Sequence, residues 1–213
     1  MSYILYHYPL CPISRRIRFL LEHLSLEHEL IEIKPWDLNE CLPVGYSAPT
    51  LYDKNKDVSI CDGYVISDFL VSKKFYGKNE FEAKRLIMLF DKEFFNDVFK
   101  TMFIEKIEKI FTNEKQSLEK IKKAQEILNY YLNYVEEILQ KNDNVSSSEF
   151  TLADLTIATY LSVLDYLGEI SWKKYHKMKN WYLIIKSKPA FNSILKDKII
   201  GINPSKNYSK IDL

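Results

Sequence analysis

Cysteine is scarce in this chain, with Cys11, Cys41 and Cys61 in 213 residues. An odd count without paired spacing argues against a secreted disulfide framework. The histidines, His7, His23, His28 and His176, lack a ligand spacing such as H-x-x-x-H. The five glycines form no phosphate-cradling loop. No apolar run approaches the ~20 residues that a membrane span needs. Charge of one sign is missing too: 30 Lys and Arg stand against 29 Asp and Glu, interspersed, for a net +1. That gives no electrostatic case for nucleic acid. The opening residues lead directly into a strand pattern with no basic leader or cleavage signal, so a cytoplasmic protein is expected. The fifteen tyrosines, with abundant Lys, Asn and Ile, fit a coding bias rather than a functional signal.

What is present begins at Tyr3. Ile4, Tyr6 and Tyr8 alternate with Leu5 and His7, a β-branched and aromatic run suited to a strand. Pro12 fits the first turn of a helix, and Ile17, Leu20, Leu21 and Leu24 follow at helical spacing. Cys11 therefore stands just before a helix N-terminus, where the helix dipole favours thiolate over thiol. Expected strands at 27–33, 48–52 and 58–61, and a helix over 62–75, complete a small α/β domain of thioredoxin type at residues 1–76. Past Gly77 the pattern becomes wholly helical: 81–110, 117–139, 152–167, 172–186 and 190–195 make an all-α domain over 81–196. Residues 197–213 form an extension. Within the helical half, Thr151-Leu-Ala-Asp154 has capping-box spacing ahead of a helix apolar nearly all round, which reads as a buried central helix.

Four pieces in this order resemble the glutathione S-transferase family over essentially the whole chain: the Cys11-Pro-Ile-Ser14 turn, Ala48-Pro49-Thr50-Leu51, Asp62-Gly63 opening a helix, and the Thr151–Asp154 cap. The C-terminal third is similar to a narrower group, the FtsZ-binding, glutathione-transferase-like division proteins (FzlA-like). The runs that carry this likeness are Leu161–Gly168, Lys179–Tyr182, Lys186–Phe191, Lys198–Pro204 and Tyr208–Leu213, with Lys34-Pro-Trp-Asp37 and Cys61-Asp62 further forward. The resemblance implies the glutathione-transferase fold: an α/β thioredoxin-like N-terminal domain followed by an all-α domain. It also implies a homodimer, a cis peptide bond before Pro49, and a glutathione site built from Ala48, Pro49, Asp62 and Gly63. The narrower likeness implies binding to FtsZ filaments in cell division without catalysis, and no cofactor.

Each candidate residue carries two readings. Cys11 is a glutathione-linked nucleophile, with Ser14 assisting, or a small packed residue beside a hydroxyl that serves the backbone. The absence of a second cysteine at position 14 excludes C-x-x-C redox chemistry. Asp62 holds a γ-glutamyl group or is an ordinary helix N-cap. Gly63 stands where the family carries a hydroxyl; losing a hydrogen bond to a charged ligand costs ~1.5–3 kcal/mol, which weakens glutathione binding. Arg15, Arg16 and Arg18 read as a solvated face with salt-bridge partners rather than an anion site. Trp36 lies in a loop outside any apolar period and is a partner anchor, or it caps the cleft or packs against Leu38 and Leu42. In the extension, Tyr208, Ile211, Asp212 and Leu213 present a mixed apolar and acidic edge to a partner, or the segment simply lashes the terminus onto the body. The favoured function is a filament-binding homodimer that does not catalyse. The alternative is a glutathione or omega-like thiol transferase using Cys11, with glutathione as substrate.

Overall fold

The structure, a computed structural model, describes residues 2–34, 48–206 and 208–210. Trp36, Cys41 and Ile211–Leu213 lie outside the described residues. Two units divide the chain: Met1–Lys74 with Lys188–Asp197, and Phe75–Ser187 with Lys198–Leu213.

Strand β1 (Tyr3–His7) lies inside a four-stranded sheet of order β2-β1-β3-β4. It pairs in parallel with β2 (His28–Glu32), in register Tyr3 to His28, and antiparallel with β3 (Thr50–Asp53), Tyr3 opposite Asp53. Strand β4 (Val58–Cys61) closes the hairpin on β3. Parallel β1 and β2 need a crossover, which α1 (Pro12–His23) supplies. Most of it is buried, with Ile17, Phe19, Leu20 and Leu21 packed out of solvent. A shorter helix, α2 (Gly63–Leu70), follows β4 and packs on α1.

The second stretch of this unit, residues 188–197, packs on α1. A 3₁₀ turn (Pro189–Phe191) and a single turn of helix bring Phe191 against Phe19, ring centroids 6.1 Å apart. Arg18 donates to Asp197 Oδ2 at 2.8 Å and to the Ser193 carbonyl at 3.1 Å, while Arg15 donates to the Pro9 carbonyl at 2.7 Å. The expected solvated arginine face is thus a buried one: Arg15, Arg16 and Arg18 are all enclosed. Periodicity missed this because an arginine stem packs like an aliphatic residue while its head finds acceptors.

In the second unit, α3 (Glu80–Met88) runs on to Phe111 through two stretches of wider, π-helical turns, Leu89–Phe99 and Ile104–Glu108. Phe94 and Phe99 meet the Tyr160 ring at 5.5 and 5.4 Å, both edge-on. The helices α4 (Leu118–Lys141), α5 (Leu152–Tyr166) and α6 (His176–Lys186) complete the bundle. Every residue of α5 is buried, as its all-round apolar pattern requires. Its capping box is formed as expected, Thr151 N–H donating to Asp154 at 2.8 Å and the Thr151 hydroxyl at 2.7 Å. Asp154 also accepts from the Val145 amide at 2.9 Å and from Trp181 Nε1 at 3.0 Å, so one carboxylate ties the preceding loop and α6 to the cap. Trp181 and Tyr182 are buried, the core role expected of them. No helix among the described residues is long and apolar enough to cross a membrane.

Candidate functional site

Cys11 is the N-cap of α1, its sulfur accepting from the Ser14 amide at 3.4 Å. The helix terminus was expected to draw the thiol toward thiolate. The opposite holds: burial pushes Cys11 up from its ordinary value, and this outweighs the Ser14 and Ile13 hydrogen bonds and the Arg16 charge that act the other way. A half-buried thiol that resists ionisation is a poor nucleophile near neutral pH. Ser14 is wholly buried and its hydroxyl accepts from the Tyr8 amide at 3.3 Å. That bond fixes the turn between β1 and α1, and the Ser14 side chain also acts on the Cys11 thiol.

The Ala48–Pro49 bond is cis. Ala48 is half-buried, Pro49 and Thr50 are buried, and Thr50 Oγ1 lies 3.5 Å from the Cys61 sulfur across the β3–β4 pair. This part of the cleft has the form that the family resemblance implies.

The opposite wall does not. Asp62 sits at φ +71° and caps α2, accepting from the Tyr64 amide at 2.8 Å and the Val65 amide at 3.3 Å. Both bonds end on Oδ1, and Asp62 is exposed. Gly63 is buried, and its lack of a side chain has a packing cause. A Cβ there would stand 1.9 Å from Ile13 Cγ2 and 2.9 Å from Arg16 Nη2. The space in which a side chain at this position would begin is filled by α1. Ile13 is a site residue that the sequence reading passed over, and Arg16 is one it read only as part of a solvated face. Nothing in a one-dimensional pattern says that a first-turn isoleucine reaches the start of another helix fifty residues on.

The extension belongs to the helical unit, and there one expectation is corrected. Tyr208 is 1 % exposed, so it offers no edge to a partner. Its ring packs edge-on to Tyr166 at 5.0 Å. Tyr166 holds the rest of the segment as well. Its hydroxyl donates to the Ile202 carbonyl at 2.8 Å and accepts from the Ile199 amide at 3.2 Å, and its carbonyl accepts from the Ser205 amide at 2.8 Å. Beneath Tyr208 lies Lys186, 0 % exposed, its ammonium 5.6 Å from the Tyr208 ring centre, 5.3 Å from that of Tyr182 and 3.5 Å from Asp165 Oδ2. Asp165 further accepts from Trp172 Nε1 at 2.8 Å. Burial acts on both charges, lowering Lys186 and raising Asp165, each moderated by the other. The apolar residues of the extension are therefore partly a means of fastening it. No group of three or more metal-ligating side chains occurs among the described residues.

Comparison with known proteins places this geometry. Residues 5–76 match the family model described as glutathione S-transferase, N-terminal domain, and residues 102–198 match glutathione S-transferase, C-terminal domain. The chain is 30% identical to "FtsZ-localized protein A" of Caulobacter vibrioides (strain NA1000 / CB15N), over 98% of this chain and 97% of that protein. Among solved structures, FzlA from C. crescentus superposes with a TM-score of 0.88 at 28% identity, covering 100% of both chains. A glutathione S-transferase from Rhodospirillum rubrum F11 gives 0.89 at 27% identity over 99% of this chain and 100% of its own. The cis-proline turn, the sheet order, the capped central helix and the match along nearly all its length together make the chain a member of the glutathione S-transferase-like family that includes FtsZ-localized protein A.

Proposed function

We propose that this protein is a cytoplasmic, non-catalytic member of its family that binds FtsZ filaments during cell division, as a homodimer, using Trp36 and the extension as contacts. The observation that carries the reading is Gly63. The position at which the family places a γ-glutamyl-binding hydroxyl is occupied by Ile13 and Arg16 of α1. A ligand carboxylate would compete there with an isoleucine methyl and a buried guanidinium. The Cys11 thiol, raised by burial, supports the same conclusion about chemistry. The relative's name supplies the partner. A two-fold dimer presents each contact twice, and two weak sites on one polymer gain by effective concentration, a route to gathering filaments with no reaction step.

The test pairs two measurements on the purified protein. It should co-sediment with FtsZ polymerised in GTP, and Trp36→Ala or removal of Ile211–Leu213 should reduce the bound fraction. Calorimetric titration with glutathione should give no binding in the micromolar range. Tight glutathione binding, with turnover lost on Cys11→Ala, would instead establish the transferase reading.

A further inference from the structure

We propose that the start of α6 and the end of α4 together form a binding surface for an acidic peptide segment of a partner protein. The residues involved are neither Trp36 nor those of the extension, and the inference stands without the filament-binding reading.

Charge along the sequence is the first observation. Between Glu169 and Ser187 stand five lysines and no Asp or Glu, in a chain whose charges otherwise nearly balance. Lys186 is the buried one. Lys173, Lys174 and Lys177 are exposed and Lys179 is half-buried, all within the 3₁₀ turn Trp172–Lys174 and the first turns of α6. None of these four makes an ion pair among the described residues. Other lysines of this unit are answered locally: Lys84 by Glu80, Lys109 by Glu105 and Lys106 by Glu169. Like charges crowded into one short stretch repel one another, and a bound anion relieves that repulsion.

Shape is the second. Glu136 of α4 accepts from the Lys177 amide at 3.1 Å and from the Met178 amide at 2.8 Å, one bond on each carboxylate oxygen. This fixes the last turns of α4 against the start of α6. Asn142 ends α4, its amide and its Nδ2 both donating to the Ile138 carbonyl at 3.1 Å, and Asn144 Nδ2 donates to the Ser148 carbonyl at 3.2 Å. These groups border a hollow of about 280 Å³ whose wall includes Lys141, Lys177, Asn142 and Ser148, with Asp143 as its one acid. Lys141 is exposed and, among the described residues, makes no ion pair. The hydrogen bonds set the wall before a ligand arrives, which lowers the ordering cost of binding.

The chemistry of the surface selects its occupant. Two ammonium groups with neutral polar neighbours fit a carboxylate side chain, and Lys173 and Lys174 supply positive charge for neighbouring acids of the same segment. No arginine occurs after Arg85, so the planar fork that grips phosphodiesters is missing. The ring beside the lysines, Trp172, is stacked on Tyr182 at 5.0 Å with its Nε1 donated to Asp165, so it is engaged within the fold rather than held out for a base. Ile184, 66 % exposed, is the one large apolar side chain that α6 exposes, too little for insertion into a bilayer.

The test is fluorescence anisotropy of the full chain with fluorescein-labelled decaglutamate across a salt series, with decaglutamine as the uncharged control and thermal melts of every variant. The wild type should bind decaglutamate, more weakly as salt rises, and should ignore decaglutamine. Lys141→Gln with Lys177→Gln should weaken binding about fivefold, and Lys173→Glu with Lys174→Glu about tenfold, at unchanged melting temperature. Lys122→Glu with Lys123→Glu, at exposed positions early in α4, alters net charge as much as the second pair and should leave binding within about twofold. A loss in that control equal to the loss at 173 and 174 would mean that net charge alone is responsible, and the inference fails. It fails equally if decaglutamate does not bind, or if phosphatidylserine vesicles or a single-stranded oligonucleotide bind more tightly than decaglutamate. None of these outcomes bears on filament binding, so the two readings fail separately.

Discussion

Replacing Gly63 by serine puts the packing argument at its most exposed. The new Cβ would lie 1.9 Å from Ile13 Cγ2, 3.3 Å from Ile13 Cβ and 2.9 Å from Arg16 Nη2. Carbon atoms settle at about 3.5–4.0 Å, so the methyl has to move by well over an ångström. An isoleucine in a helix has essentially one favoured χ1 rotamer, and leaving it costs about 0.5–1.5 kcal/mol before the guanidinium is disturbed. Overpacking of this kind totals about 1–3 kcal/mol. Against it stands the reduced freedom of the unfolded chain on losing a glycine, roughly 0.4–1 kcal/mol. The net expectation is a loss of about 1–2 kcal/mol, or a melting temperature lower by about 2–8 °C. In an Ile13→Ala background the obstructing methyl is gone, and Gly63→Ser should cost at least ~1 kcal/mol less there, the coupling of residues in direct contact. Denaturant titration of the four proteins of the cycle measures it. Calorimetry with glutathione should show no affinity for Gly63→Ser alone. A Gly63→Ser protein that is as stable as the wild type and holds glutathione tightly would show that the space was open all along, and the argument against a peptide-thiol site would fail.

Other outcomes follow from the same geometry. Burial, and then the Arg18 charge, lower His7 to about 3 from its ordinary 6.5. Between those values the unfolded chain binds the proton that the folded one refuses, so stability falls with pH, by about 2 kcal/mol from pH 7.5 to pH 5 on this account. His7→Gln should remove that component, and identical pH slopes of denaturation free energy in the two proteins would refute it. Asp154 serves four donors at the start of α5, so Asp154→Ala should cost about 3 kcal/mol or more in chemical denaturation, with the Trp181 fluorescence signal altered. In a Cys41→Ser, Cys61→Ser background, Cys11 should alkylate more slowly at pH 7 than a free thiol and show thiolate absorbance only above the ordinary cysteine range; ionisation below pH 7 would reverse that assignment.

Much of the scaffold was legible in the sequence because it rests on local signals. Pro12 after a strand, the alternation of Tyr3–His7, the Thr151–Asp154 spacing and the apolar circumference of α5 each encode a neighbourhood of a few residues, and each appears in the structure as read. The site was harder, since its decisive features are encounters between distant segments. Gly63 could be seen to lack a hydroxyl, but only Ile13 and Arg16 give the reason. Tyr208 read as a surface residue because its surroundings are polar, while its seat is made of Tyr166, Tyr182 and Lys186. Lys186 itself resembles any cation ending a helix, and only the enclosed Asp165 accounts for it. The three arginines of α1 mislead in the same way: charge spacing along one helix is silent about acceptors supplied at residues 193 and 197.

The return of residues 188–197 to the sheet unit affects how the protein is made. As the chain leaves the ribosome, the strands emerge first, yet the partner for Arg18 and the ring that meets Phe19 arrive only after the long helices have been synthesised. Vectorial synthesis therefore cannot finish the first-made portion first. The helical body is free to consolidate while the nascent sheet waits for its last piece, and shortened chains ending before residue 197 would be born with an incomplete interior.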